Sequence, residues 1–184
     1  LPLHNLEAEM SALGSMILKE QAAEQLLGLL DERDFYFPAH REIFRAMQQL
    51  SVAFKAIDLV TLRNELESRG KLEAAGGEDY LIQIAESVPS AANAEYYAQI
   101  LKEKSVLRNL NTAGHEIIKL TQDPELDVED KLNDAENLIF QVGNQRLGQE
   151  FISVRSLAKD FVIAMDQLYE TGEPVIGTPS GFYD

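Results

Sequence analysis

The chain has 184 residues, of which 31 are acidic and 16 basic, so its formal net charge is −15, and it contains no cysteine. The missing thiols exclude disulfides, thiolate zinc sites and iron–sulfur clusters, and the acidic excess argues against a nucleic-acid-binding surface, because such surfaces displace counterions with lysine and arginine. No run approaches the ~18 consecutive apolar residues of a membrane-spanning helix, so we expect an acidic globular protein of the cytoplasm.

The first half of the chain predicts a series of short amphipathic helices, because apolar side chains recur every three or four positions. Asn5 is expected to cap the first helix, and Pro38 to begin the third. Asp58 is expected to cap the fourth helix, which ends at Gly70. The aromatic run at residues 35–37 is expected to pack in the core.

The next segment predicts an antiparallel hairpin of two longer helices. A helical pattern runs from about Asn93 to Leu120. The Asp-Pro pair at residues 123–124 interrupts it, and a second helix is expected to start at Asp127. Two helices joined by such a short turn pack against each other. Because a two-helix hairpin cannot bury both of its faces, it needs a partner, either the head or another chain.

After the hairpin, one further amphipathic helix is expected from Ser153, with loops on both sides. Its apolar stripe must dock on another surface. The residues of this stripe are Leu157, Phe161, Met165 and Leu168. The predicted fold is therefore all-α, with four parts in chain order. They are a compact multi-helix globular head (1–103), the helical hairpin (104–146), a linker with its separate amphipathic helix (147–171) and a C-terminal segment (172–184).

The sequence predicts no catalytic, cofactor-binding or metal-binding site. Its single Gly-Lys pair, at residues 70–71, lacks the earlier glycine and the following serine or threonine of a phosphate-binding loop. The histidines, His4, His40 and His115, have no metal-ligand spacing, and a surface or capping role is expected for them. Residue chemistry alone therefore indicates a helical interaction module.

A set of short motifs in collinear order covers nearly the whole chain. They are residues 2–9 (PLHNLEAE), 34–36 (DFY), 58–62 (DLVTL), 76–81 (GGEDYL), 88–93 (VPSAAN), 103–108 (EKSVLR) and 177–182 (GTPSGF). This ordered set resembles the N-terminal domain, with its linker helix, of the DnaB family of bacterial replicative DNA helicases. Each motif is weak alone, but the order is specific.

The resemblance implies a function in DNA replication. In that family this region forms the oligomerisation collar of a hexameric ring, a trimer of dimers, and the primase DnaG docks on it. The C-terminal segment resembles the start of a RecA-like motor domain, so we expect the chain to be a piece of a longer ATP-dependent helicase. ATP and magnesium would bind in that motor domain. No direct contact with nucleic acid or membrane is expected of the present residues.

The resemblance also points to particular surface residues. For the oligomer interface we expect the apolar positions of the hairpin, namely Leu107, Leu110, Ile117, Leu132, Leu138 and Ile139. For primase docking the resemblance points to the junction of head and hairpin, at Glu7, Tyr80, Asn111 and Ile117. The four stripe residues of the last helix would dock on the motor domain of a neighbouring subunit.

Alternatives remain open at this stage. The hairpin positions can serve only to hold its two arms together, and Tyr80 can simply pack in the core. The chain can also be a stand-alone acidic adaptor that binds other proteins. An enzyme with a carboxylate site is disfavoured, because no histidine or lysine is expected beside a convergent pair of carboxylates.

Overall fold

The computed structural model describes residues 2–88 and 90–147. Over these ranges the chain forms seven α-helices and two short 3-10 helices without any β-strand, which confirms the predicted all-α fold. All of these elements belong to one compact unit, Leu1–Gly148. The predicted linker helix, with its stripe between residues 157 and 168, and the predicted start of a motor domain lie outside the described residues.

Short connections join the seven α-helices. The helices are α1 Leu6–Leu18, α2 Glu20–Leu29, α3 Pro38–Val52, α4 Leu59–Ser68, α5 Gly77–Glu86, α6 Ala94–Gln122 and α7 Val128–Leu147. The two 3-10 helices are Glu32–Asp34, which precedes α3, and Ala91–Asn93, which precedes α6.

The helix ends confirm the capping residues that the sequence predicts. The Asn5 side chain accepts a hydrogen bond from the third amide of the first turn of α1, and Asp58 accepts from two amides in the first turn of α4. Pro38 is the first residue of α3. Gly70 follows the end of α4 with a φ of 62°, a left-handed conformation that glycine adopts at little cost.

The head is built around α1, which contacts α2, α3, α5 and α6. Its core is formed by buried apolar side chains, the largest of which include Leu13, Met16, Phe35, Phe44, Met47, Leu62, Leu66, Leu81 and Ile84. Tyr36 is 43% exposed, so the prediction that the whole aromatic run packs in the core is wrong for this residue. The backbone at Phe35 is extended, and successive side chains of an extended segment point to opposite sides.

Helix α6 runs without interruption from the head into the hairpin, so the predicted boundary between residues 103 and 104 falls inside it. Near its start, α6 buries Ala94, Ala98 and Leu101, where it packs on α1 and α2. Beyond the head it packs against α7. No residue between 128 and 144 of α7 is fully buried. Two helices alone cannot enclose a core, and the hairpin therefore leaves apolar surface open.

Candidate functional site

The hairpin presents a group of exposed apolar side chains, which we name the hairpin face. Their exposed fractions range from 44% to 73%, and the members are Leu107, Leu110 and Ile118 on α6 and Val128, Leu132 and Ile139 on α7. Contiguous apolar surface is uncommon on monomeric proteins, and it commonly marks an interaction site.

The six residues lie on one side of the hairpin. With about 100° of rotation per residue, the three members on α6 fall within a sector of about 80°, and the three on α7 within about 40°. Less exposed residues mark where the arms meet: Ala113 and Ile117 on α6, Ala135 and Leu138 on α7. On each helix the residues of the hairpin face are turned by a similar angle, in the direction of increasing residue number, from the residues that contact the other arm. Because the two helices are antiparallel, such a turn brings both sets of exposed residues to the same side of the hairpin.

The oligomer-interface prediction divides between two environments. Four of the six predicted residues belong to the open hairpin face; they are Leu107, Leu110, Leu132 and Ile139. The other two, Ile117 and Leu138, are half-buried where the arms meet, so they fit the alternative of holding the hairpin together. Sequence reasoning missed Ile118 and Val128, although the helical spacing places both in line with the face.

A buried polar network lies where α1, α3 and α5 meet. Nδ1 of His40 is 2.7 Å from a carboxylate oxygen of Glu9, and both side chains are almost completely buried. Nε2 of His40 is 2.8 Å from the Tyr80 hydroxyl. A carboxylate only accepts, so Nδ1 donates to Glu9, and in the neutral ring Nε2 accepts from Tyr80. The other carboxylate oxygen of Glu9 accepts the backbone amide of Tyr36 at 2.8 Å.

This network corrects an expectation from the sequence. A surface or capping role is wrong for His40, because both of its ring nitrogens find partners inside the head. The sequence also gives no sign that His40 lies beside a single carboxylate, that of Glu9. Glu9 is 31 residues away along the chain and on another helix, so no local spacing could have shown the contact. Both groups are enclosed by the head and serve its packing.

A second polar cluster ties the base of the hairpin to the head. The Arg108 guanidinium on α6 donates to three backbone carbonyl oxygens at 2.7 to 3.0 Å, those of Leu3, Arg33 and Asp34. Lys102 pairs with the Asp34 carboxylate at 2.7 Å. Burial lowers the pKa of Arg108, and the three carbonyls replace part of its lost hydration. The direction in which α6 leaves the head is thereby fixed.

The four residues predicted for primase docking lie on three helices, Glu7 on α1, Tyr80 on α5, and Asn111 with Ile117 on α6. Glu7 and Asn111 are exposed, whereas Tyr80 and Ile117 are half-buried. Asn111 and Ile117 are six residues apart, which places them about 120° apart around the helix axis. They therefore do not share one face of α6.

Tyr80 is more than a core-packing residue. Its ring stacks on the His40 ring with 5.8 Å between centroids, and its hydroxyl joins the buried network. Burial raises the pKa of Tyr80, and the nearby Glu9 carboxylate adds to the effect. The tyrosine therefore links the surface of α5 to the interior of α1 and α3.

The described residues contain no group of three or more His, Asp or Glu side chains that could hold a metal ion. In the same part of the chain, no helix is both long and apolar enough to cross a membrane. The features that stand out are therefore the exposed hairpin face and the junction of head and hairpin.

A family model decides the relationship that the sequence motifs indicate. The model of the DnaB-like helicase N terminal domain matches residues 1–103, more than half of the chain. The chain belongs to the DnaB-like helicase N-terminal domain family. This result confirms the resemblance drawn from the ordered motifs.

Curated relatives of this DnaB-like chain match it along almost its whole length. The replicative DNA helicase DnaC of Bacillus subtilis (strain 168) is 37% identical over 182 residues, 99% of this chain. The replicative DNA helicase DnaB of Geobacillus stearothermophilus is 34% identical over 184 residues, also 99% of this chain. In both cases the chain spans 40% of the relative's length.

Solved structures share the DnaB-type fold. The crystal structure of the N-terminal domain of DnaB helicase from Mycobacterium tuberculosis is similar with a TM-score of 0.73 at 37% identity, covering 77% of this chain and 99% of that one. A DnaB-like replicative helicase, described with its interactions with primase, is similar with a TM-score of 0.71 at 20% identity, covering 97% of this chain and 39% of that one. At this lower identity the likeness shows the fold alone.

Proposed function

We propose that this chain is the assembly and docking domain of a replicative DNA helicase. The observation that carries the proposal is the hairpin face, an exposed apolar surface on one side of a hairpin whose second arm has no fully buried residue between positions 128 and 144. In the proposed assembly this face packs against the hairpin of a second copy. The resulting dimers form the oligomerisation collar of a hexameric ring, as a trimer of dimers.

The energetics of such a contact are favourable enough to matter. Full burial of an aliphatic side chain contributes about 1.5–3 kcal/mol, and the members of the hairpin face are about half exposed before pairing. A symmetric pair would bury twelve of these side chains, which gives roughly 12 kcal/mol. This is within the range of about 4–15 kcal/mol that association costs in lost freedom. We therefore expect pairing that depends on concentration and that single substitutions can abolish.

The relatives suggest the wider setting. They are replicative DNA helicases, and one DnaB-like structure is described with its interactions with primase. By analogy we propose that a primase docks at the junction of head and hairpin, through Glu7, Tyr80, Asn111 and Ile117. The longer protein would act in the bacterial cytoplasm and use ATP and magnesium in a motor domain to unwind DNA. The stripe on the predicted linker helix would dock on a neighbouring motor.

A pair of matched substitutions tests the assembly role. Leu132 on α7 is 60% exposed in the hairpin face, and Val60 on α4 is 68% exposed on the head. Changing either residue to aspartate places a charge on the surface of the folded chain, where it is solvated. Only Leu132→Asp would bury that charge in the proposed contact. Sedimentation over a range of concentrations should show self-association that Leu132→Asp weakens by roughly tenfold or more, an energy of about 1.4 kcal/mol, while Val60→Asp leaves it unchanged.

Two results would contradict the assembly role. A wild-type chain that stays monomeric at all concentrations would favour the stand-alone adaptor. Equal effects of the two substitutions would place the contact elsewhere.

A further inference from the structure

We propose that Gly114 of α6 is a notch in the hairpin face that receives an apolar side chain from α7 of a second copy of this chain. The inference rests on the self-association proposed above and specifies which parts of the two copies touch.

The notch is defined by its neighbours on α6. Leu110 lies one turn before Gly114 and Ile118 one turn after it, so all three follow a single line along the helix. The flanking side chains are 46% and 56% exposed. A glycine between two exposed large side chains leaves a gap in an otherwise continuous apolar ridge, and ridges with such gaps are what helix packing interlocks.

Nothing within the described chain accounts for the glycine. A Cβ built at Gly114 would meet no atom within 4 Å, so α7 does not approach this point. Inside a helix, glycine lowers stability relative to alanine, because it gives up more backbone freedom on folding. Open space beside a helical glycine is not by itself a contact, but at Gly114 the space lies between two exposed apolar side chains, so a second chain can fill it.

The chemistry of the arms identifies α7 of a second copy as the occupant. The α7 part of the hairpin face, Val128, Leu132 and Ile139, supplies large exposed side chains along one side of the helix. The arms also differ in charge. From residue 104 to 122, α6 carries three basic and one acidic side chains, and from 128 to 144 α7 carries one basic and four acidic ones.

The charges of the two arms are not paired with each other: on α6, Lys119 pairs with Glu116, and Lys104 and Arg108 donate to backbone carbonyls of the head. Among the described residues no ion pair joins α6 to α7. A two-fold pair that places the acidic α7 of each copy against α6 of the other brings arms of opposite net charge together. The same arrangement sets the large side chains of α7 over the notch of α6.

Gly114→Ala tests the inference because its two expected effects have opposite signs. The new methyl group favours the helix in the separated chain, and it also fills the notch. Gly28 on α2 of the head is a matched control, since it is also a helical glycine whose Cβ would meet nothing within 4 Å. Both alanine variants should raise the thermal midpoint at dilutions where the chain is monomeric.

Only Gly114→Ala should weaken self-association, by roughly 5- to 100-fold in Kd as measured by sedimentation, which is the range expected for overpacking a fitted contact. Gly114→Ser gives a second, equally small probe of the notch and should act in the same direction. Gly28→Ala should leave Kd unchanged.

The outcomes separate this inference from the proposed function. If the wild-type chain associates and Gly114→Ala associates equally well or more tightly, the notch is wrong while the assembly role stands. If the wild-type chain never associates, both the assembly role and the notch are disproved. If both Gly114 variants fail to fold, the space beside Gly114 is not open in the separate chain, and the inference is overturned.

Discussion

Phe54 has a backbone conformation and a solvent exposure that are both unfavourable for a large aromatic residue. It follows α3 with a left-handed φ of 54°, and its ring is 99% exposed. Its amide and that of Lys55 donate to the carbonyls of Ser51 and Leu50, the pattern that ends many helices with a left-handed residue, most often glycine. A large side chain is strained in this region because its Cβ crowds the following carbonyl.

Phe54→Gly should therefore stabilise the head. Glycine adopts the same backbone without the Cβ conflict, so we expect the free energy of unfolding in urea to rise by about 1 kcal/mol. Phe54→Ala is the control, because it removes the exposed ring and keeps the strained Cβ. If the glycine and alanine variants were equally stable, backbone strain at this position would be disproved.

Tyr80 supports a pH-dependent prediction, since burial raises its pKa above the ordinary value of 10.0. The unfolded chain then loses this proton at a lower pH than the folded chain does. The stabilisation by the neutral phenol is complete below pH 10 and is lost as the pH rises through the folded pKa.

Tyr80→Phe should lower the free energy of unfolding at neutral pH by about 1 kcal/mol, because the hydrogen bond to His40 is lost. The difference in unfolding free energy between wild type and variant should shrink above pH 10. Only the wild-type chain has a phenol at this position to lose its proton, so only the wild-type chain loses stability there. Urea unfolding at several pH values measures it. A difference that stays constant through this range would show that the hydroxyl titrates as if it were exposed.

For single residues, the sequence predicts those roles that depend on neighbours close by along the chain. Asn5 and Asp58 bond to amides within three residues of themselves, so their capping roles can be predicted from spacing alone. His40 could not be assigned in the same way, because its partners lie 31 and 40 residues away in the chain. Long-range polar contacts depend on how the helices pack, and the spacing of residues along one sequence does not show that packing.

At the scale of helices, the contact between α1 and α5 depends on the absence of a side chain at Gly14. A Cβ there would lie 2.5 Å from the carbonyl oxygen of Ile84 and 3.0 Å from a methyl group of Val88. The backbone of α5 cannot yield locally, so the two helices would have to move apart.

Gly14→Ala should destabilise the head by about 1–3 kcal/mol, as expected for overpacking, even though alanine is the better helix former. Gly28→Ala adds the same methyl group where nothing is close, and it should change stability by no more than about 1 kcal/mol in the favourable direction. Thermal unfolding of both variants measures the contrast. A neutral Gly14→Ala would mean that α1 and α5 are not in close backbone contact.

The helices themselves are well predicted because the spacing of apolar residues is a local signal. The hairpin and its need for a partner follow from the same signal. The sequence does not tell which apolar positions face the sister arm and which remain open, because Ile117 and Ile118 have the same chemistry and differ only in angle around α6. The structure separates them by their exposure.

At the scale of the whole molecule, the described residues form a well-packed head that continues into a hairpin with an exposed apolar face. The Arg108 cluster fixes the hairpin to the head, so a partner bound at the junction and a second copy bound to the hairpin face would share one rigid support.

The most direct test of the central claim is the native mass of the 184-residue chain, alone and mixed with the helicase-binding C-terminal domain of the primase from the same organism. We expect the chain alone to form dimers or larger oligomers, and the mixture to gain the mass of the primase domain. Oligomers that ignore the primase domain would contradict the docking role only. A monomer that binds nothing would contradict the account as a whole.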